Sequence, residues 1–217
     1  MAPVAPKRLE GRKVAAVACF DSFGKVAMTL LAACRREGAE TTLHLLELNN
    51  RALSRRQRLE IRRIDPRTTI EKHNWSDLHN LCSPMAGDVD ALILGLDGRR
   101  SREALLQLHG AWGLGQTRPR LISAYPGILF RFALEGMLDR SGADLLCLNS
   151  QQDLSIYQKG CAAMGLDSSN AVVTGLPILW RTHPRTDLPE YPSIVFFEQP
   201  SIPVHPLQRR FICEQLR

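Results

Sequence analysis

The sequence predicts an α/β fold, a parallel sheet with helices on both faces. Three observations carry that expectation. Short apolar runs recur along the chain, helical periods separate most of them, and strand and helix alternate instead of segregating. Strands buried on both faces read as continuous runs of apolar residues, and strands joined through helices lie parallel.

The first run is VAAVACF (14–20), followed by Ala27, Leu30, Leu31 and Cys34 at the spacing of one helix face. Next come TTLHLLE (41–47), a weaker TTIEKH (68–73), ALILGL (91–96) and RLISAY (120–125). After the fifth run, Phe130, Ala133, Leu134 and Met137 repeat the helical period. DLLCLN (144–149) leads into Ser150-Gln151-Gln152-Asp153, which has capping-box spacing and opens a helix marked by Leu154, Tyr157, Cys161 and Met164. AVVTG (171–175) and SIVFFE (193–198) complete the series.

Proline marks the boundary. Seven of the thirteen prolines fall in the last 41 residues, and proline removes a backbone donor and holds its predecessor extended. The expected organisation is a basic extension over 1–12, a main lobe over 13–178, a proline-rich linker over 179–192 and a further strand and partial helix over 193–217. A lone strand-helix unit cannot bury both its faces, so the last segment either joins the edge of the first sheet or opens a second lobe of which the remainder is missing.

At 44% hydrophobic and 23% charged, the 217 residues are neither disordered nor collagen-like. The longest apolar stretches fall short of the roughly 18 residues of a membrane span, and VAAVACF runs into Asp21, too weak for a signal peptide. The expected location is cytoplasmic. The six cysteines form no C-x-x-C pair, and Cys19, Cys34, Cys147 and Cys161, which fall within apolar stretches, read as reduced core thiols. Six scattered histidines without an H-E-x-x-H pairing give no expectation of a metal; His44, among apolar neighbours, reads as a satisfied core or edge histidine, and His79 and His109 are the ones worth testing as bases.

Ligands in such sheets bind beyond the carboxyl ends of the strands, so the loops there are the candidate sites. Phe20-Asp21-Ser22-Phe23-Gly24-Lys25 follows the first strand without a G-x-G-x-x-G or a P-loop pattern. Asp21 there is placed to act as a general base or to bind a sugar hydroxyl, or else Asp21 or Ser22 simply caps the helix; a glycine beside the helix start would let backbone N–H groups approach an anion. Tyr125-Pro126-Gly127 makes a tight turn after the fifth strand, with Tyr125 offering a ring or a hydroxyl. Asn149-Ser150-Gln151-Gln152 presents uncharged polar groups suited to a polyol, or Ser150 acts as a cap alone. No G-x-S-x-G elbow is present.

The net charge of +6 is concentrated. Between Arg51 and Lys72 eight basic residues face three acidic ones, a cluster including Arg55, Arg58 and Arg62. It reads as a solvated helix face or as a surface for phosphates or anionic lipid. It lacks the interleaved aromatics of single-strand binders, which argues against nucleic acid.

FDSFGKVAMTLLAA, AYPGILFRFALEGMLDRSGADLLCLNSQQDLSIYQKGCAAMG, VVTGLPIL and FFEQPSIPVHPLQRR together resemble an uncharacterised bacterial family described as glycosyltransferases. The resemblance runs from about residue 13 to the end and matches Asp21, Ser22, Lys25, Pro126, Gly127, Ser150, Gly175, Pro177, Gln199, Pro200 and Ser201. It implies a GT-B-like arrangement of two Rossmann-like lobes, with this chain supplying the N-terminal, acceptor-side lobe and little of the donor lobe, so that transfer would need a partner, a second copy or further chain. The implied reaction moves a sugar from a nucleotide-sugar co-substrate to a cell-surface or lipid-linked glycan, without a bound metal. Asp21 is then the base; Ser22, Lys25, Tyr125, Pro126, Gly127, Ser150 and Gln151 line the acceptor side; Gln199 and Ser201 lie in the second-lobe turn. The arginine cluster would hold the protein at an anionic inner membrane face. The competing expectation is a non-catalytic Rossmann-like module that binds a phosphorylated small molecule or, less favoured, nucleic acid through its basic helix.

Overall fold

The structure, a computed structural model, describes residues 8–48, 52–113, 118–125, 134–177 and 214. The chain divides into two units, Met1–Arg181 and Thr182–Arg217, and the sheet belongs to the first. The expected strand at 193–198 and the turn with Gln199 and Ser201 lie outside the described residues.

Seven strands form one parallel sheet: β1 (Lys13–Ala18), β2 (Glu40–Glu47), β3 (Thr69–Asn74), β4 (Ala91–Gly95), β5 (Arg120–Ala124), β6 (Leu145–Leu148) and β7 (Ala171–Val173), in the order β3-β2-β1-β4-β5-β6-β7. Each coincides with an apolar run read from the sequence. The weakest run became β3, at the sheet edge, where only Ile70 and His73 are even partly buried.

Alternate residues of each strand serve opposite faces. Val14, Ala16 and Ala18 of β1, with Leu43 and Leu45 of β2, pack under α1 (Asp21–Arg36) and Ile61 of α2 (Arg55–Ile64). Ala15 and Val17, with Leu92 and Leu94 of β4, pack under α3 (Leu78–Cys82) and α4 (Gly98–Trp112). Further along that second face, Leu146 and Leu148 of β6 meet Met137 of α5 (Leu134–Leu138) and Tyr157 and Cys161 of α6 (Gln151–Ala163). The fold is Rossmann-like. From β1 the chain winds outward to β3 over one face, then returns to β4 on the other side of β1 and winds to β7 over the opposite face. The reversal falls between β1 and β4, whose carboxyl ends form the switch point where such sheets bind ligands.

Gly95 closes β4 at that point. A Cβ there would lie 3.0 Å from each of Ala18 Cβ, Ala27 Cβ and the Phe23 carbonyl oxygen, so its missing side chain is what lets the first turns of α1 rest on the sheet. The amino ends of the strands are tied by charge instead. Asp90 accepts from the Arg12 guanidinium at 2.7 Å and the Lys13 N–H at 2.8 Å. Asp144, just before β6, accepts from both terminal nitrogens of Arg118, at 2.6 and 2.8 Å, and from the Leu121 N–H of β5 at 2.8 Å. The Arg118 hydrogen bond holds the Asp144 carboxyl below its ordinary range, outweighing partial burial. Among the described residues no helix is long and apolar enough to cross a membrane, and Cys19, Cys34, Cys82, Cys147 and Cys161 are free thiols.

Two stability predictions follow from these contacts. Gly95→Ala overpacks a junction of backbone and β-carbons that has no flexible end to yield; it is expected to cost about 1–3 kcal/mol, read as a lower urea midpoint. Asp144→Asn is expected to cost about 1–3 kcal/mol at neutral pH. Because the native carboxyl titrates below its unfolded value, the stabilisation is complete above about pH 4 and disappears as pH falls through the native value. The gap between wild type and Asp144→Asn should therefore narrow on acidification, and a gap constant with pH would refute the assignment.

Candidate functional site at the switch point

Only Cys19 and Phe20 separate β1 from α1. The Cys19 N–H donates to the Gly95 carbonyl at 3.1 Å, prolonging the β1–β4 contact by one residue, and the chain then turns into the helix at Phe20. Phe20 takes φ 63° and ψ 164°, the one positive φ outside glycine among the described residues. A side chain in that region costs about 1–3 kcal/mol and persists where surrounding contacts impose it. Phe20 is the N-cap residue of α1 and makes no side-chain cap hydrogen bond. Asp21 and Ser22 are the first helical residues, so capping by either, one of the two roles open to them in the sequence, is not what the fold uses.

Asp21 Oδ2 accepts from Lys25 Nζ at 2.8 Å, while its buried Oδ1 has no hydrogen-bond partner. Lys25 also donates to Glu60 of α2 at 2.8 Å. Burial works against the Lys25 charge, but the hydrogen bonds to Asp21 and Glu60 prevail and raise its pKa. Lys25 thus joins α1 to α2 and steadies Asp21; it is not an unattached phosphate-binding cation. Gly24 is likewise buried, with the position of its absent Cβ 2.7 Å from Ile61 Cδ1, so it serves helix packing and does not open the backbone to a ligand. Ser22 stands exposed at the rim.

The other lip follows β4. Asp97 caps α4 by accepting from the Arg100 N–H at 3.0 Å and forms an ion pair with the Arg100 guanidinium. That guanidinium lies 5.2 Å from the centre of the Phe20 ring and 5.9 Å from that of Trp75, which follows β3. Two aromatic faces and a carboxylate therefore fix one partly exposed cation beside the carboxyl ends of β1 and β4. Beneath it the Cys19 thiol is pushed up to about 12 by burial, which keeps it protonated and unreactive.

Arg140, only 1% exposed, extends the charge toward β5. It donates to the Leu96 carbonyl at 2.6 Å and to the Gly136 carbonyl, and its guanidinium carbon lies 5.2 Å from the centre of the Tyr125 ring. Burial lowers its pKa to about 10, so it is still a cation at neutral pH. Gly98 permits the packing: a Cβ there would meet Asp139 Oδ2 at 2.8 Å and Gly136 Cα at 2.9 Å. Tyr125 accordingly spends one ring face on Arg140. Ser150 caps α6, accepting from the Asp153 N–H at 3.1 Å, and exposed Gln151 begins the helix.

The strand order places the Asp21 and Tyr125 loops about 10 Å apart across β4, at the usual strand spacing. The Tyr125 and Ser150 loops follow neighbouring strands, and the Tyr125 N–H donates to the Cys147 carbonyl at 3.0 Å. Pro126 and Gly127 lie outside the described residues. Phe20, Asp97, Arg100 and Arg140 are additions that the sequence reading missed. Asp97-Gly98 directly after ALILGL was a readable signal of the same kind as the other loops; nothing local marked Arg140.

A hollow of about 780 Å³ lies at the opposite end of the sheet, lined by Arg12, Val14, Asp90, Arg118 and Ile122 among others. Among its charged groups Arg12 is paired with Asp90 and Arg118 with Asp144, and it lies away from the loops that the topology opens.

Among solved structures the chain is similar to LpCGTa in complex with UDP, at 13% identity and a TM-score of 0.49, over 76% of this chain and 52% of that one. This chain thus spans about half of LpCGTa. It is similar to a protein from Lactobacillus casei, at 12% identity and a TM-score of 0.42, over 64% and 74% of the two chains. A Serratia marcescens short-chain dehydrogenase/reductase is 9% identical with a TM-score of 0.43, over 78% and 99%. No curated protein matches the sequence. Residues 14–217 match the family described as "Putative glycosyltransferase (DUF6716)", and with nearly its whole length matched the chain belongs to that family.

Proposed function

We propose that the described lobe is the acceptor side of a GT-B-type glycosyltransferase, and that the crevice between the Phe20-Asp21 and Asp97-Arg100 loops holds a glycan acceptor, cell-surface or lipid-linked, for transfer from a nucleotide-sugar. Membership of a glycosyltransferase family supports the reaction class. The observation that carries the location is the strained Phe20, held at the switch point beside a carboxylate with one unpaired oxygen. Strain of this kind gathers at sites where a ligand must be met in one geometry.

Asp21 is the proposed base. Lys25 holds Oδ2 and so orients the carboxylate; Oδ1 is buried without a partner, and the carboxylate, its side chain 30% exposed, takes the hydroxyl proton from the exposed side. Proton removal as that oxygen attacks the anomeric carbon, with reactants aligned by the crevice, is the chemistry required. Arg100 offers guanidinium N–H groups to sugar hydroxyls, and the Phe20 and Trp75 rings offer apolar faces. The nucleotide would be held by a surface outside the described residues. On α2, Arg55, Arg58 and Arg62 with Lys72 surround Leu59 and Ile70, a basic face suited to an anionic membrane where lipid-linked acceptors reside.

In a labelled-donor transfer assay, Asp21→Asn is expected to lower kcat by about 10²–10⁴-fold with the acceptor KM nearly unchanged. Arg100→Ala is expected to raise that KM by about tenfold or more, with a weak dependence on salt. Unaltered turnover by Asp21→Asn would remove the base, and steep loss of binding with salt would favour the phosphorylated-ligand module.

A further inference from the structure

The pairing of β2 with β3 assembles a cluster that the crevice does not use. In the parallel register His44 faces Glu71, and His73 lies two residues beyond Glu71 on the same sheet face. His44 Nδ1 is 3.2 Å from His73 Nε2 and 3.3 Å from Glu71 Oε2, and His73 Nε2 is 3.4 Å from the same oxygen. Three donor atoms thus form a nearly equilateral triangle. The edge of a tetrahedron around zinc, at Zn–N and Zn–O distances of 2.0–2.2 Å, is about 3.3–3.5 Å.

Hydrogen bonds account poorly for this closed triangle. An N–H directed along one edge points about 60° away from the other, while hydrogen bonds prefer angles above about 150°. The contact between two ring nitrogens also requires one of them to be bare. A single ion above the triangle receives all three lone pairs at once. The surroundings suit that role: the His44 side chain is 8% exposed, and burial favours its neutral, ligating form over the opposing pull of Glu71. The His73 and Glu71 side chains are 25% and 48% exposed, which leaves the fourth tetrahedral position open to solvent.

We propose that His44, Glu71 and His73 bind one zinc-type divalent transition-metal ion, with water as the fourth ligand, clamping the edge strand β3 to β2. Two imidazoles and one carboxylate at tetrahedral spacing select zinc, cobalt or nickel over magnesium and calcium, which take six or more oxygens. Read along the chain, the histidines carry no metal-ligand spacing, and His44 passes for a satisfied strand residue. The ligands come instead from two strands brought into register, a set that linear motifs do not encode. The site is independent of the acceptor crevice and does not rest on its proposed function.

The test is titration of the tag-free, chelator-stripped full chain with Zn²⁺ by calorimetry and with Co²⁺ by visible absorption. One equivalent of Zn²⁺ is expected to bind in the micromolar range or tighter, and to raise the melting temperature. His73→Gln and Glu71→Gln, changes at the more exposed ligands, should each weaken binding by about tenfold or more while leaving the circular dichroism unchanged. The Co²⁺ adduct should show tetrahedral ligand-field bands without a thiolate charge-transfer band. Absence of saturable binding, binding indifferent to both substitutions, or a thiolate band that assigns the metal to cysteines would each overturn the proposal.

Discussion

The contact on which the site depends is the seating of α1 on the carboxyl ends of β1 and β4 at Gly95. Three groups, two of them alanine β-carbons and one a backbone oxygen, converge on the place where any other residue would carry its Cβ. With the helix that close, the chain has two residues in which to leave one strand and start the helix, and Phe20 adopts a left-handed φ to do so. The same turn presents the Phe20 ring to Arg100 and sets Asp21 in the first helical position. A glycine in a strand thus determines where an aromatic ring, a cation and a carboxylate stand.

Charge divides the two ends of the sheet. At the amino ends, the carboxylates of Asp90 and Asp144 are matched by arginines, a lysine backbone N–H and a strand N–H, an arrangement that ties strands together and leaves little unmet demand. At the carboxyl ends the matching is incomplete. Arg140 is buried with its Nε unpaired, and Asp21 keeps one oxygen without a partner. Buried polar atoms lacking partners are few in folded proteins and call for an explanation. Of the four such side-chain atoms among the described residues, Asp21 Oδ1 and Arg140 Nε lie at the switch point; the others are Ser123 Oγ in β5 and Arg35 Nε, which stands 3.0 Å from Asp65 Oδ2 at the far end of α1.

Much of the architecture was legible in the sequence because it rests on local pattern. Six of the seven strands are short apolar runs, β3 with its single Ile70 being the exception, and the helix that starts at Gln151 announces itself through the Ser150 cap and the period from Leu154 to Cys161. Topology marks the loops at the carboxyl ends of the strands, and so the sequence alone singles out Asp21, Tyr125 and Ser150. Their partners were not legible. Arg140 resembles any helix-terminal arginine until α4 and α5 close around it, and the Phe20 backbone is decided by Gly95, 75 positions away. Gly24 invited an anion-binding reading and Lys25 an acceptor-side one because the sequence does not show that Ile61 and Glu60 of the next helix occupy them. Likewise, His44 and His73 are 29 residues apart, and only strand register makes them neighbours.

The proposed ligand site lies at the β1–β4 carboxyl ends. The most direct measurement is backbone amide chemical-shift mapping of the full chain during titration with a glycan acceptor. The account predicts perturbations concentrated at 19–25, 96–100 and around Tyr125 and Arg140. Perturbations confined instead to the hollow lined by Arg12, Asp90 and Arg118, with the Phe20 and Arg100 amides unmoved, would contradict it.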